Sequence, residues 1–227
     1  MINYSENNVI TLIGTIVSER TFSHEVYGEG FYSFNIDVPR LSENSDIIPV
    51  TVSERILTDE FKIGQKVVID GQFRSYNNYE NEKNKLVLTV FVKDIRIQTE
   101  ETDMTNPNEI CLTGFICKKP IYRTTPFGRE IADILLAVNR AYNKSDYIPC
   151  IAWGRNARFC QNIEVGEKIK LWGRIQSRQY EKKFEDGTSE MRRAYEVSVS
   201  KMEILKETPN TDTTEAQEES NPLEQNA

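Results

Sequence analysis

The stretch LLAVNRAYNKSDYIPCIAWGR, residues 135–155, constrains the fold of the chain more than any other segment. Apolar residues alternate on both sides of "AYNKSD", which predicts two strands joined by a hairpin loop. Pro149 restricts the second strand to an edge or bulge position. Rings that stack on bases are accompanied by cations that neutralise the neighbouring phosphates. The stretch combines both types, and the pattern therefore favours a nucleic-acid surface: Tyr142, Tyr147 and Trp153 with Arg140, Lys144 and Arg155.

The chain repeats itself at an offset of about 100 residues. Five of the matched pairs are Gly14 and Gly114, Gly28 and Gly128, Arg40 and Arg140, Arg55 and Arg155, and Gly71 and Gly173. A period of this length corresponds to a small domain rather than to a solenoid unit, so we predict a tandem duplication. The repeats are expected at 1–98 and 110–205, with an acidic linker at 99–109 and a disordered acidic tail at 206–227.

The pattern within each repeat predicts short strands. In the second repeat we expect strands at 110–117, 130–139, 147–153, 168–177 and 194–204, a short helix in "GRNARFCQNI" and a bulge at Gly173. Five strands with a helix between the third and fourth is the order of an OB-fold barrel. The first repeat has the same order, with "ERILTDEF" in the helix position. The predicted fold is all-β, with two tandem five-stranded Greek-key barrels and one short helix per repeat.

Charge is distributed unevenly along the chain. The net charge of −7 consists of −4 in residues 1–98, −4 in 99–109, +6 in 110–205 and −5 in 206–227. The basic excess lies in the repeat that contains the opening stretch. This asymmetry indicates a local nucleic-acid surface flanked by acidic segments.

Several classes of function and location are disfavoured by composition. The four cysteines have no CxxC spacing and there is a single histidine, His24, so neither a metal nor another cofactor is expected. No apolar run is long enough for a membrane span, and the N-terminus lacks the pattern of a secretory signal. Free thiols suit a reducing compartment, and we expect a cytoplasmic, nucleoid-associated protein.

The second repeat resembles the bacterial single-stranded DNA-binding protein family (SSB). The motifs that carry the resemblance are "LLAVNRAY", "DYIPCIAWGR", "VGEKIKLWGRIQSRQY" and "YEVSVSKMEIL". The resemblance implies OB-folds that bind single strands through stacked rings and basic side chains, and assembly as a homodimer that presents four folds. It places the family's stacking positions on Tyr142, Tyr147, Trp153 and Tyr180. Trp172 is interpreted as a core or interface residue.

Basic side chains of the second repeat complete the predicted site. Four of them lie on the two arms of the last hairpin, where a clamp on backbone phosphates is expected. The predicted cations are Arg140, Lys144, Arg155, Arg158, Arg174, Arg178, Lys182, Lys183, Arg192 and Arg193.

The first repeat resembles the family more weakly, through "NVITLIGTI" and "GQFRSY". Its four positions equivalent to the stacking residues are not aromatic, although Tyr76 and Tyr79 lie close to the last of them. An assembly role or weak DNA binding is expected for this acidic repeat. The four positions are Ser42, Ile47, Ser53 and Asn78.

Three functions remain open at this point. The first is a non-catalytic protein that coats single-stranded DNA during replication, recombination and repair, with replication or repair proteins as further partners. The second is a primosomal-type OB-fold module that acts in replication restart. The third, a metal nuclease, needs converging carboxylates, whereas Asp133, Asp146 and Glu164 are scattered along the basic repeat. The tail also lacks the apolar tip with which the family recruits partners.

Overall fold

The structure is a computed structural model that describes residues 6–80, 83–99, 106–184 and 187–206, without the side chains of 78–80 and 83–85. The first repeat contains six strands: β1 (Asn8–Ile16), β2 (Thr21–Val26), β3 (Glu29–Pro39), β4 (Ser45–Ser53), β5 (Lys66–Glu80) and β6 (Lys83–Ile97). The second contains β7 (Asn108–Ile116), β8 (Ile121–Thr124), β9 (Glu130–Arg140), β10 (Lys144–Trp153), α1 (Arg155–Cys160), β11 (Lys168–Lys183) and β12 (Ser189–Ile204).

Each repeat is a closed, twisted barrel. The strands form the order β2-β3-β4-β6-β5-β1 in the first repeat and β7-β11-β12-β10-β9-β8 in the second. Additional pairs between β1 and β3, and between β7 and β9, close the two barrels. The β4–β6 and β10–β12 pairs are parallel, and the other pairs are antiparallel. This is the Greek-key arrangement of the OB-fold, and the predicted fold class is confirmed.

Alternating apolar residues build the two cores. Along β7 every second side chain is buried, beginning with Asn108. The same period-2 pattern in β3 and β9 directs valine, isoleucine and leucine into the barrels. Burying these side chains is the main favourable contribution to folding, and it fixes which side chains remain on the outer faces.

Bulges at equivalent glycines bend the long hairpins. The β11–β12 register shifts between Trp172 and Gly173, as predicted, and the β5–β6 register shifts between Asp70 and Gly71. A Cβ at Gly173 would lie 2.2 Å from the backbone oxygen of Ser198. Only glycine permits this close approach of two backbones, so each barrel requires a glycine at its bulge.

The strands differ from the sequence prediction in number and in extent. Each repeat has a sixth short strand, β2 or β8, which forms the outer edge of its sheet. Asn108 and Glu109, predicted to lie in the linker, belong to β7. The rest of the linker, at 100–105, and the tail from 207 onward lie outside the described residues.

The predicted helix of the first repeat is replaced by turns. Backbone N–H groups of Ile56 and Leu57 both donate to the carbonyl of Ser53, at 3.2 Å each. The Ser53 hydroxyl accepts a further hydrogen bond from the N–H of Arg55, at 3.1 Å. Serine, threonine and aspartate hydrogen-bond to the nearby backbone and so compete with helix formation. The prediction of a helix in "ERILTDEF" was therefore wrong.

The two barrels are joined edge to edge through β1 and β7. These strands are antiparallel, with Asn8 opposite Leu112, Ile10 opposite Ile110 and Leu12 opposite Asn108. The pairing makes one continuous sheet of twelve strands in the part of the chain that the structure describes. The duplicated halves are therefore related by an approximate two-fold axis within a single chain.

Candidate nucleic-acid interface

The outer face of the second barrel is formed by β9, β10, β12 and β11, and is called here the outer face of the second repeat. Directly paired residues of a sheet share a face. Ser198 of β12 pairs with Ile151 of β10 on one side and with Arg174 of β11 on the other, so these three residues lie on the outer face. Tyr147 and Trp153 lie on the Ile151 side of β10, whereas Ile148, Cys150 and Ala152 point into the core. The strand register thus separates the predicted rings from the core residues between them.

The four predicted rings are all exposed on or beside this face. Tyr147 and Trp153 are six residues apart on one strand, a separation of about 20 Å at ~3.3 Å per residue. Tyr180 is opposite Arg192 on the β11–β12 hairpin. The exposed fractions are 94% for Tyr142, 48% for Tyr147, 37% for Trp153 and 38% for Tyr180. Apolar rings with this much exposure provide stacking surfaces that a base can cover.

The backbone of the β9–β10 turn holds the Tyr142 ring away from the barrel. Tyr142 and Asn143 have φ values of 62° and 54°, in the left-handed region. Asparagine tolerates this conformation well, but a large residue there is uncommon. The loop spans only the residues between Arg140 and Lys144, which form the last pair of the β9–β10 ladder. The ring is therefore carried at the tip of a short hairpin.

Cations lie beside the rings on the β11–β12 hairpin. The guanidinium carbon of Arg178 is 5.7 Å from the centroid of the Tyr180 ring. Phe184, a ring that the sequence analysis did not single out, is flanked by Lys182 at 5.4 Å and Arg192 at 5.6 Å. The position of Phe184 in a polar hairpin tip is the sequence feature that could have indicated an exposed ring. The hairpin therefore combines rings and positive charge, as expected for a single-strand surface.

The remaining predicted cations divide into paired and unpaired groups. Arg158 lies 3.5 Å from Glu130, and Arg178 lies 3.9 Å from Glu196. Lys144 and Arg155 are exposed, and neither pairs with a carboxylate among the described side chains. Lys183 and Arg193 are exposed on opposite arms of the β11–β12 hairpin, and the register places both on the side opposite to Tyr180.

Arg174 has a different environment from that predicted, because it lies at the repeat interface. Its guanidinium is 3.2 Å from the fully buried carboxylate of Asp46, in the other repeat. Asp46 also accepts hydrogen bonds from Arg40 at 2.6 and 2.7 Å and from the backbone N–H of Ser177 at 2.7 Å. This network ties β4 to β11, which gives Arg174 a structural role that the sequence pattern did not reveal.

Asp146 occupies the equivalent position on the other side of the interface. It accepts a hydrogen bond from the backbone N–H of Ser75 at 2.9 Å, and Arg140 lies 3.6 Å away. Burial raises the pKa of Asp146, despite the Ser75 N–H and the charges of Arg140 and Arg74. Burial would also raise the pKa of Asp46, but its hydrogen bonds and arginine neighbours hold that pKa below the ordinary value. The two interface carboxylates therefore differ in how well they are neutralised.

Trp172 is not part of either hydrophobic core. Its half-buried ring lines a small pocket between the repeats, together with Val9 and Thr11. Lys201 and Lys170 lie 4.4 and 5.1 Å from the ring. Of the two interpretations of this residue, core or interface, its position between the repeats agrees with the second.

The first-repeat equivalents of the stacking rings differ in their surroundings. Ser42 is exposed and Ile47 is half-buried, while the Ser53 hydroxyl donates to the carboxylate of Glu29. The side chains of Asn78 and Tyr79 lie outside the described set. Across the described ranges, no group of histidine, cysteine, aspartate or glutamate side chains could hold a metal. No helix within those ranges is long and apolar enough to cross a membrane.

Comparison with known proteins finds a family that the second repeat resembles. The sequence model described as "Single-strand binding protein family" matches residues 107–205. Over this range the second repeat is similar to the single-strand binding protein family. That range includes every ring and every cation of the outer face described above, so the site lies within the matched region.

Individual relatives agree with this assignment. The chain is 38% identical over 81 residues to "Single-stranded DNA-binding protein 1" of Staphylococcus aureus, which covers 33% of this chain and 48% of the relative. It is also 38% identical over 88 residues to "Single-stranded DNA-binding protein" of Clostridium tetani, which covers 36% of this chain and 59% of the relative. The chain thus spans about half the length of the curated relatives it matches.

A solved structure shares the two-barrel architecture. The crystal structure of the Thermus aquaticus single-stranded DNA binding protein, a deletion mutant, superposes with a TM-score of 0.70. The alignment covers 90% of this chain and 98% of the other, at 18% identity. At this identity the likeness concerns the fold, and it extends over both repeats of a tandem OB-fold chain.

Proposed function

We propose that this protein binds and coats single-stranded DNA without catalysis, in replication, recombination and repair. The observation that carries the proposal is the common exposure of Tyr147, Trp153 and Tyr180 on one outer face, with Tyr142 at the hairpin tip beside it. Base stacking on such rings contributes about 1–3 kcal/mol per base and tolerates any sequence. The names of the relatives, all single-stranded DNA-binding proteins, support the same substrate.

The cations of the outer face supply the electrostatic part of binding. Each neutralised phosphate releases counterions, so the slope of log affinity against log salt is about −0.7 per charge for single strands. Arg178, Lys182 and Arg192 lie on the Tyr180 side of the β11–β12 hairpin, and with the exposed Arg155 they are the side chains we expect to contribute most. We expect smaller contributions from Arg158, which already contacts Glu130, and from three cations that lie on the opposite side of their strands from the rings: Lys144, Lys183 and Arg193.

The test is a titration of a fluorescently labelled oligo(dT) with the full chain at two salt concentrations, read as anisotropy. We expect saturable binding that weakens with salt and is competed by unlabelled single strands but not by duplex DNA. Absence of binding at low salt would reject the proposal. In that case the primosomal-type module, acting through protein contacts in replication restart, would be the better reading.

Assembly and location follow as further parts of the proposal. We propose a homodimer with four OB-folds, because the edge strands β2 and β8 expose Phe22 and Ile121, and uncovered edges favour association. A cytoplasmic, nucleoid-associated location is consistent with a DNA ligand and with four free cysteines. Replication or repair proteins are the proposed further partners.

A further inference from the structure

The outer face of the first repeat, formed by β2, β3, β4, β6 and β5, carries a ring cluster of its own. His24 is stacked on Phe31, with ring centroids 4.9 Å apart and planes within 7°. Phe31 contacts Phe91 at 5.7 Å. The guanidinium of Arg74 lies 3.6 Å from the centroid of the Phe91 ring. Four flat groups thus follow one another across the sheet.

These rings occupy positions at which the second repeat has none. Phe31 is equivalent to Ile131, and both lie at the same register of the third strand. Phe91 is equivalent to Ser198, because each directly precedes the valine that pairs with the bulge glycine of its repeat. Ser53 conversely replaces Trp153. The aromatic residues have therefore been redistributed over the face rather than lost from it.

A pocket of about 460 Å³ opens beside the cluster. Its volume is within the ~300–1,000 Å³ of small-ligand sites. It is lined by aromatic, hydroxyl-bearing and basic residues, among them His24, Phe91, Tyr76, Thr51, Thr89 and Arg74. Arg140 reaches the same pocket from the second repeat.

The two arginines of the pocket are incompletely neutralised. Arg74 donates to the amide oxygen of Gln72 at 2.8 Å, and no described carboxylate lies within ion-pair distance of it. Burial, together with the nearby charge of Arg140, lowers the pKa of Arg74 to about 10. Arg140 is 3.6 Å from Asp146, a longer contact than the 2.6 Å between Arg40 and Asp46. An anion in this pocket would therefore meet two guanidinium groups.

The pocket also adjoins the proposed site of the second repeat. The Ser75 hydroxyl, which lines the pocket, accepts a hydrogen bond from the backbone N–H of Tyr147 at 2.7 Å. Tyr147 is one of the exposed rings of the second repeat. A strand that leaves Tyr147 can therefore enter the pocket without crossing a barrel.

We propose that this pocket is a second binding site for the same single-stranded DNA, taking one base against His24, Tyr76 and the Arg74 guanidinium stacked on Phe91, with the phosphate between Arg74 and Arg140. The proposal rests on the proposed function, because it assigns a further part of the same DNA path. The first repeat then contributes directly to binding, despite its acidic balance and the absence of rings at the four family positions.

The test compares full-length variants for binding of a labelled oligo(dT) long enough to reach both repeats. Phe91→Leu removes the ring and keeps an apolar side chain, and Arg74→Gln removes one guanidinium. We expect about two- to 30-fold weaker binding for Phe91→Leu, because the Arg74 guanidinium loses the ring on which it stacks, and a salt slope smaller by about 0.7 for Arg74→Gln. Arg20→Gln, a matched loss of charge in the same repeat but at a different pocket, should change neither.

Cross-linking of the unmodified protein provides a readout that needs no variant. Under ultraviolet light, an oligonucleotide containing 5-iodouracil attaches to aromatic side chains close to its bases. Tryptic peptide 86–93, "LVLTVFVK", contains Phe91 as its one aromatic residue, and we expect it to be labelled. Labelling confined to residues 145–155 and the β11–β12 hairpin, with wild-type binding by both variants, would overturn the second site and leave the proposed function intact. No binding or labelling in either repeat would overturn both.

Discussion

Ile10 of the first repeat lies directly opposite Ile110 of the second in the β1–β7 ladder, and the two residues are equivalent positions of the duplication. The flanking pairs, Asn8 with Leu112 and Leu12 with Asn108, are exchanged by the same two-fold relation. An antiparallel pair between equivalent strands is the contact that two identical subunits would make across an isologous interface. In this chain the contact is intramolecular, so its formation does not depend on protein concentration.

Asp46 and Asp146 should respond differently to neutralisation. Asp46→Asn removes the buried carboxylate that forms ion pairs with Arg40 and Arg174. Breaking a buried ion pair lowers the free energy of unfolding by about 3–5 kcal/mol. Asp146→Asn should cost less at neutral pH, because burial disfavours the ionised form of Asp146. Chemical denaturation of both variants measures the difference in the free energy of unfolding. Equal losses would contradict the asymmetry of the two sites.

The same pair predicts opposite dependences on pH. The pKa of Asp46 is lowered on folding, so its contribution to stability is present above the unfolded pKa and is lost as pH falls through the folded value. The pKa of Asp146 is raised, so its contribution is present below the unfolded pKa and is lost as pH rises through the folded value. Relative to wild type, Asp46→Asn should flatten acid destabilisation, and Asp146→Asn should steepen it. Unfolding curves between acidic and neutral pH measure both slopes.

Trp153→Ala should weaken binding of oligo(dT) by about 1–3 kcal/mol, since it removes one stacking ring. Phe159→Ala is the matched control, because Phe159 is 38% exposed against 37% for Trp153 but lies on α1. Anisotropy of a labelled oligonucleotide measures both affinities. A folded Trp153→Ala protein with wild-type affinity would contradict the assignment of the outer face.

Removing the acidic tail should leave DNA affinity unchanged or slightly higher. Residues 206–227 carry a net charge of −5, so they can only compete with DNA for the cations of the second repeat. A chain truncated before Lys206 is compared with the full chain at low and high salt, where screening should remove any difference. A large loss of affinity on truncation would show that the tail contributes to the binding site.

Sedimentation equilibrium should report a dimer of the 26.3 kDa chain at micromolar concentration. The physical reason is the cost of leaving the edge strands β2 and β8 uncovered. A monomer at this concentration would contradict the proposed assembly. A tetramer would mean that the internal duplication does not replace a pair of subunits.

The sequence by itself determined the duplication, the barrel type and four exposed rings of the second repeat, Tyr142, Tyr147, Trp153 and Tyr180. These depend on local information: Gly71 and Gly173 mark a bulge at equivalent positions, and alternation along β10 separates Tyr147 and Trp153 from the core. The turns at Ser53 were missed because one short side chain competed with a helix through a backbone hydrogen bond.

Only the tertiary structure decided which charges are free and which rings meet. Arg174 and Asp46 are far apart in the sequence, and their ion pair forms because β1 and β7 place the two barrels side by side. Likewise, His24, Phe31 and Phe91 lie on three different strands and become one cluster only when the sheet is assembled. Contacts between residues distant in sequence follow from strand register, and register is set by the packing of the whole barrel rather than by any local pattern.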